Sequence, residues 1–185
     1  NHFTIADAKR GDIGNTADQY AKAFFEAMDF DAVTVAPYMG SDSILPFLKY
    51  SKKFTIVLGL TSNASASEFQ LHGEHYPMYK EVLSKTAGYA HAERLMYVVG
   101  ATKAEALQEI RAILPDHFLL IPGVGAQGGS LEEVLNHGLT EDYGLLINSS
   151  RGIIFASEGD DFAVKAGEAA AELQKQMSTL LQKSF

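Results

Sequence analysis

Short apolar runs alternate with stretches of helical periodicity along this chain. Six of these runs predict β-strands, at residues 3–6, 32–36, 54–58, 95–99, 118–121 and 144–147. Helical spacing of apolar residues predicts helices near 14–28, 41–50, 79–89, 102–114, 130–135 and 161–182. The stretch 62–75 is polar and predicts an irregular loop. Strands that alternate with helices in this way are typical of a parallel sheet covered by helices.

Local signals refine three of the helices. In the first helix, an i, i+4 pattern predicts a buried stripe made of Tyr20, Phe24 and Met28. Two later helices begin with a capping box, in which Thr102 is paired with Glu105 and Ser130 with Glu133. These pairs predict where the two helices begin.

The predicted fold is a (β/α)8 TIM barrel, of which this α/β chain supplies about six units. A closed barrel needs eight strands, and each βα unit takes about 30 residues of a typical ~250. An open arc of six strands would leave two unpaired edges. We therefore expect residues 1–185 to form a single barrel domain with strands three to eight, and two βα units to precede Asn1.

Composition narrows the classes of function. The net charge of −8 and the pI near 5.2 argue against nucleic acid as a partner, since binding to a phosphate backbone needs a basic face. No apolar run approaches the length of a membrane span, which argues against a membrane partner. The absence of cysteine rules out disulfides and a zinc-thiolate site and fits a reducing compartment such as the cytoplasm. An anionic small-molecule substrate would need a local cluster of binding groups.

Two segments near the C-terminus predict such a cluster. Residues 121–130 end a strand, turn through several glycines and open a capped helix, so that backbone N–H groups can approach an anion. Arg151 follows the next strand and can fork onto phosphate oxygens. In barrels of this kind, the loops after the last two strands commonly bind phosphate.

The same glycines also match a different site. The spacing of Gly123, Gly125 and Gly128 fits the dinucleotide fingerprint, and Arg151 could then meet an NADP 2′-phosphate. That fingerprint belongs on the first strand of its fold, whereas only one predicted strand follows here. The sequence gives little support to a metal site at His72 and His75, because their polar loop offers no further nearby ligands. We expect no metal and no cofactor.

The first predicted strand ends in the charged residues Asp7, Lys9 and Asp12. Asp7 and Lys9 are two residues apart, which places both side chains on one face of a strand, toward the barrel mouth. Opposite charges about 4 Å apart attract by roughly 4 kcal/mol at an effective dielectric near 20. The pair would hold Lys9 ready to donate a proton. A structural salt bridge is the alternative, and Asp12, three residues beyond, favours chemistry.

At these residues the chain closely resembles a known family. Residues 7–16, which begin Asp7-Ala8-Lys9-Arg10-Gly11-Asp12, resemble the Asp-x-Lys-x-x-Asp signature of orotidine 5′-phosphate decarboxylase, in its longer bacterial-type branch. Segments 60–63, 98–102 and 122–129 are similar to later motifs of that family, in order. The resemblance implies a homodimeric barrel with shared active sites, which converts orotidine monophosphate to UMP and CO₂ in pyrimidine biosynthesis without a metal or an organic cofactor.

The resemblance also implies residue roles. Asp7 would lie against the substrate carboxylate, and Lys9 would stabilise and protonate the carbanion at C6. The residues that would reach into the partner's site are Asp12, Ile13 and Thr16. Contacts with the base and the phosphate would come from Ser62, Gln127, Gly128, Gly129 and Arg151.

Two departures from the family pattern bear on activity. Ala64 stands where the family usually has a proline, so that loop can be placed differently. The family's lysine of the second strand and its ribose-binding aspartate of the first strand have no counterpart here. We therefore expect residues 1–185 alone to be inactive.

Two alternatives remain open at this point. A magnesium-dependent sugar-phosphate decarboxylase or aldolase of the same superfamily shares the Asp-x-Lys-x-x-Asp pattern, although the loop that contains Gln127 favours the nucleotide enzyme. A non-catalytic nucleotide-phosphate binding module would keep the phosphate site without turnover.

Overall fold

A single curled sheet of six parallel strands organises the chain in the computed structural model, which describes residues 2–125 and 129–184. The strands pair in chain order, each with the next. They are β1 (Ile5–Arg10), β2 (Ala32–Val35), β3 (Phe54–Leu60), β4 (Leu95–Val99), β5 (Leu119–Pro122) and β6 (Leu145–Asn148). The arrangement is six-eighths of a TIM barrel, as the alternating pattern predicts.

Helices follow each strand and cover the outer face of the sheet. In the described residues they are α1 (Gly14–Lys22), α2 (Leu45–Leu48), α3 (Ala66–Phe69), α4 (Met78–Ala87), α5 (Leu107–Ile113), α6 (Leu131–Gly138), α7 (Arg151–Ile154) and α8 (Phe162–Ser184). The short helices α3 and α7 were not predicted. Both lie in loops after a strand, at the carboxyl edge of the sheet. No helix in the described ranges combines the length and the apolar character that crossing a bilayer demands.

The main hydrophobic core lies between the sheet and these helices. Its largest fully buried side chains include Tyr97, Phe47, Ile44, Leu83, Leu107 and Leu119. The inner face of the curl has a smaller cluster, made of Ala32, Ile56, Met96 and Val98. Both faces of β2 and β4 are therefore buried, which is why these strands read as continuous apolar runs.

The predicted buried stripe of the first helix is confirmed in part: Tyr20 and Phe24 are half-buried and pack against the core, but the prediction for Met28 is wrong. Met28 is 56% exposed, and Phe25, at 3% exposure, enters the core instead. A π-helical turn at Ala23–Ala27 follows α1 and places more residues in a turn than the α-helical period assumes. The face that points inward is rotated as a result, and the Phe25 ring packs edge-on against Phe47 at 6.1 Å between centroids.

The two predicted capping boxes have different outcomes. The hydroxyl of Ser130 accepts a hydrogen bond from the Glu133 N–H at 3.2 Å and caps α6 as predicted. The box at Thr102 is wrong, because residues 101–106 form a 3₁₀ turn without a side-chain cap and α5 begins only at Leu107.

Arg111 joins three segments at the amino end of β5 and β6. Its guanidinium donates to the carbonyls of Gly138 at 2.7 Å, Gly144 at 2.9 Å, His117 at 2.7 Å and Leu114 at 3.1 Å. Burial lowers the pKa of Arg111 to about 10, so the group stays charged at neutral pH. Arg111 thus supplies a donor to each of the four carbonyls, of which that of Gly144 also accepts the Leu119 N–H at 2.8 Å.

Arg111→Lys should lower the free energy of unfolding by about 2–4 kcal/mol, because an ammonium cannot reach all four carbonyls and leaves buried acceptors unpaired. Denaturant unfolding followed by circular dichroism measures this change. Lys85→Arg, in an exposed pair with Glu81, serves as the control and should change stability by less than about 0.5 kcal/mol. Equal stability of Arg111→Lys and the wild type would show that the four contacts contribute nothing.

Candidate active site

A cavity of about 850 Å³ opens at the carboxyl edge of the sheet, inside the curl. Its apolar lining comes from earlier positions in the strands and includes Ile5, Leu58, Val98, Leu120 and Leu146. Its polar lining comes from the strand ends and the following loops: Asp7, Lys9, Thr61, Ser62, Asn63, Gln70, Asn148 and Ser150. This edge is where barrel enzymes carry their active sites, and the volume suits a small-molecule ligand.

Asp7 and Lys9 form an ion pair on this lining. Lys9 Nζ lies 2.6 Å from Asp7 Oδ2, and the two side chains are 53% and 60% exposed. An ion pair this exposed contributes at most about 1 kcal/mol to stability. In this chain the pair therefore adds little to stability, and both charges are accessible to a ligand in the cavity.

The backbone that presents this pair is not a regular strand. Ala6 is opposite Val33 and Arg10 is opposite Val35, so three residues of β1 face the single residue Thr34. Lys9 lies in the left-handed region with a φ of 48°, a conformation that costs about 1–3 kcal/mol outside glycine. Simple alternation along a strand is therefore an incomplete reason for the two side chains to share a face. The bulge also determines that the Lys9 side chain points toward the cavity.

Hydrogen bonds stabilise the bulge from two sides. The Lys9 N–H donates to Thr34 Oγ1 at 2.9 Å, and the Thr34 hydroxyl lies 3.0 Å from Asp7 Oδ1. The Arg10 guanidinium donates twice to the carbonyl of Ala8, at 2.9 and 3.0 Å. Thr34 was not predicted as a site residue, since its contacts come from strand pairing and not from sequence spacing.

Asp12, Ile13 and Thr16 lie outside the cavity lining that contains Asp7 and Lys9. They follow β1 and lead into α1, where Asp12 Oδ1 accepts a hydrogen bond from the Ile13 N–H at 2.8 Å. Ile13 is 50% exposed. Within one chain, the structure therefore does not bring these three residues to the charged pair.

Ser62 lines the cavity from the loop after β3. Gln70, which was not predicted as a site residue, holds the start of this loop. Its Oε1 accepts from the Thr61 N–H and its Nε2 donates to Thr61 Oγ1, both at 2.8 Å. Gly100 supports the loop from β4, where a Cβ atom would lie only 2.7 Å from the Ser62 Cβ.

The predicted phosphate end forms a second, narrow cavity of about 70 Å³ between the loops after β5 and β6, and Arg151 is one of its lining residues. Gly129 is needed for packing, since a Cβ atom there would lie 2.3 Å from the Ala101 Cβ. The Gly129 N–H points to the Gly123 carbonyl at 3.4 Å. Gln127 and Gly128 lie outside the described residues.

Metal ligands do not converge anywhere in residues 2–125 and 129–184, where no group of three or more His, Asp or Glu side chains could hold an ion. His72 and His75 are exposed in their loop. The charged groups of the cavity are therefore an acid and an amine, which can act on a substrate by electrostatics and proton transfer.

Comparison with known proteins identifies close relatives. Residues 1–166 match the family model described as orotidine 5′-phosphate decarboxylase / HUMPS family. Two proteins named orotidine 5′-phosphate decarboxylase, from Christiangramia forsetii and Flavobacterium johnsoniae, are 59% and 56% identical over 98% and 99% of this chain. The chain spans 67% of the length of each.

A solved structure has the same architecture. The OMP decarboxylase of Leishmania donovani superimposes with a TM-score of 0.78 at 38% identity, over 92% of this chain and 67% of that one. The six parallel strands of this chain therefore correspond to part of an enzyme barrel.

Gly100→Ala should destabilise the protein by about 1–3 kcal/mol, because the added methyl group overlaps the backbone and side chain of Ser62 and forces the loop to move. Denaturant unfolding measures the change, and hydrogen exchange at residues 61–63 should become faster. Gly167→Ala in α8 is the matched control, since nothing lies within 4 Å of its added Cβ. That control should be neutral or stabilising by up to about 1 kcal/mol. Equal stabilities of the two variants would contradict the packing argument.

Proposed function

Because the chain belongs to the orotidine 5′-phosphate decarboxylase family, we propose that it carries the catalytic pair and the phosphate site of an enzyme that converts orotidine 5′-monophosphate to UMP and CO₂. The observation that carries this proposal is the exposed Asp7–Lys9 ion pair on the wall of the large cavity. The lack of cysteine supports a reducing compartment, and we place the enzyme in the cytoplasm.

In the proposed reaction, Asp7 lies beside the carboxylate of the substrate. The repulsion between the two negative charges eases as the bond from C6 to the carboxyl carbon breaks and CO₂ leaves. The electron pair stays on C6, where the Lys9 ammonium stabilises it and then donates a proton from Nζ. The distance of 2.6 Å between Lys9 Nζ and Asp7 Oδ2 supports this assignment, since both groups reach the same point of the cavity.

The phosphate of the substrate is assigned to the loops after β5 and β6. Arg151 supplies a fixed positive charge there, and the backbone of Gly128 and Gly129 approaches the anion, while Gln127 links the phosphate to the base. The position of Arg151 on the narrow cavity supports this assignment. Ser62, on the opposite loop, contacts the pyrimidine. Binding energy at the phosphate then supports chemistry at the ring.

The sheet supports the proposal that these are strands three to eight of the barrel. β1 and β6 are the two ends of the described strand order, and each has one strand neighbour. An eight-stranded barrel would place two further strands between them. The active protein is then this chain joined to a preceding segment with those strands, and residues 1–185 alone are inactive.

Lys9→Ala in that longer protein should lower kcat by about 100- to 10,000-fold, because the substitution removes both the charge that stabilises C6 and the proton donor. The assay follows the loss of ultraviolet absorbance of orotidine 5′-monophosphate with EDTA present. Lys52→Ala, at an exposed surface lysine, is the control and should retain wild-type turnover.

Three other outcomes of this assay would each support a different conclusion about the function. Turnover that is lost with EDTA would support the magnesium-dependent sugar-phosphate enzyme. UMP binding by the wild type without turnover would support a nucleotide-phosphate binding module. Full turnover by residues 1–185 alone would contradict the assignment of strands three to eight.

We further propose that the enzyme is a homodimer whose partner chain contributes Asp12, Ile13 and Thr16 to the site. These residues lie outside the cavity of their own chain, where a second copy can use them. Large apolar side chains are exposed in the same region, with Ile13 at 50% and Tyr38, which follows β2, at 81%. Such exposure favours burial against a partner.

A mixture of two inactive variants tests the shared site. When Lys9→Ala and Asp12→Asn chains are mixed after partial unfolding, half of the dimers are mixed, and each mixed dimer has one intact site of two. About a quarter of wild-type turnover should return, as random pairing of a two-fold dimer predicts. A mixture of Lys9→Ala with Asp7→Asn is the control and should recover nothing, since both residues line the cavity of one chain. No recovery in the first mixture would exclude shared sites.

A further inference from the structure

We propose that Thr34 is a positioning residue, whose hydroxyl sets the geometry of the Asp7–Lys9 pair from the neighbouring strand β2. This proposal rests on the proposed decarboxylation. Thr34 lies on β2 directly opposite the bulge of β1, between the paired positions Val33 and Val35. It is fully buried and is not part of the cavity lining. It therefore has no direct access to a ligand and acts through the pair.

One hydroxyl contacts both members of the pair. Thr34 Oγ1 accepts the Lys9 N–H at 2.9 Å and has its own proton available for Asp7 Oδ1 at 3.0 Å. A second acceptor, the Ala6 carbonyl, is farther away at 3.5 Å. The group thus fixes the backbone of the lysine and the side chain of the aspartate together. Because Lys9 Nζ lies 2.6 Å from the other carboxylate oxygen, the ammonium is held through the same carboxylate.

A purely structural role does not explain this threonine. Thr34 is the one polar residue of β2, whose other positions are alanine and valine. Valine has nearly the same shape and suits a buried strand. Thr55, on the neighbouring strand β3, is equally buried, yet its hydroxyl has no hydrogen-bond partner among the described residues. The Thr34 hydroxyl therefore bonds to both Asp7 and Lys9, whereas the Thr55 hydroxyl holds neither.

The bulge explains why an anchor is needed at this point. Three residues of β1 face Thr34 alone, so the regular ladder does not fix the backbone between Ala6 and Arg10. Lys9 has a φ of 48°, which a lysine adopts only when its surroundings hold it there. Without the hydroxyl, Oδ1 of Asp7 loses a donor and the Lys9 N–H loses its acceptor. A displacement of about 1 Å at the reacting groups is enough to slow a reaction by about 100-fold.

Thr34→Val in the longer, active protein should therefore reduce kcat by about 10- to 100-fold, with the affinity for UMP within about threefold of wild type, because a hydrogen bond to a charged group is lost and no ligand contact changes. Thr34→Ser restores the hydroxyl and should recover most of kcat. Thr55→Val makes the same substitution at the unpartnered threonine and should leave kcat unchanged. Steady-state kinetics and UMP titration provide both readouts.

The outcomes separate this proposal from the proposed function. A wild-type protein without turnover defeats the decarboxylase assignment before Thr34 is tested. An active wild type with an equally active Thr34→Val variant overturns the positioning role, as does a loss in Thr34→Val that Thr34→Ser fails to restore. If Thr34→Val does not fold, Thr34→Ala removes the same hydroxyl from a smaller side chain, and wild-type kcat in that variant overturns the proposal as well.

Discussion

Parallel pairing of the strands in chain order is the constraint on which the rest of the structure depends. It brings the carboxyl ends of all six strands to one edge of the sheet, so that residues far apart in sequence meet there. Burial by helices on the outside and by strand side chains within the curl leaves that edge as the place where polar groups can gather. Asp7 and Asn148, at the two ends of the chain's strand order, line one cavity for this reason.

The sequence predicts this layout well where periodicity alone decides it. β4 was predicted with its observed bounds, and the apolar residues Leu107, Ile110 and Leu114, which recur at helical spacing in the predicted helix 102–114, are all buried. Periodicity fails where the backbone leaves its regular period. The π-helical turn after α1 brings Phe25 into the core and leaves Met28 exposed, and no pattern of apolar residues encodes the extra residue in that turn.

Local capping signals have a similar limit. Ser130 caps α6, because the helix begins directly after it and the hydroxyl reaches the Glu133 N–H. Thr102 has the same spacing to Glu105, but a 3₁₀ turn occupies this segment. The turn hydrogen-bonds three residues apart, so the box has no α-helical first turn to cap. A capping box thus predicts a helix start only when the following backbone is α-helical.

The residues of the candidate site likewise fall into those that sequence spacing predicts and those that it does not. Asp7 and Lys9 were predicted from their spacing at a strand end, and both line the cavity. Thr34 and Gln70 were not, since each acts through a contact with a different segment of the chain. A single polar residue in an apolar strand is the signal that Thr34 offers, and that signal is common to any satisfied buried threonine. Gln127 and Gly128 lie outside the described residues, so their assignment stays a prediction.

The exposure of the charged pair connects structure and proposed chemistry. In an open cavity, water screens the attraction between Asp7 and Lys9, so the pair adds little to stability. A ligand that fills the cavity displaces that water and lowers the local dielectric, which strengthens every charge interaction there. Repulsion between Asp7 and a substrate carboxylate would then grow at the same time as the stabilisation of C6 by Lys9. Binding at the distant phosphate can offset the repulsion, provided that the anchored bulge prevents the pair from moving apart.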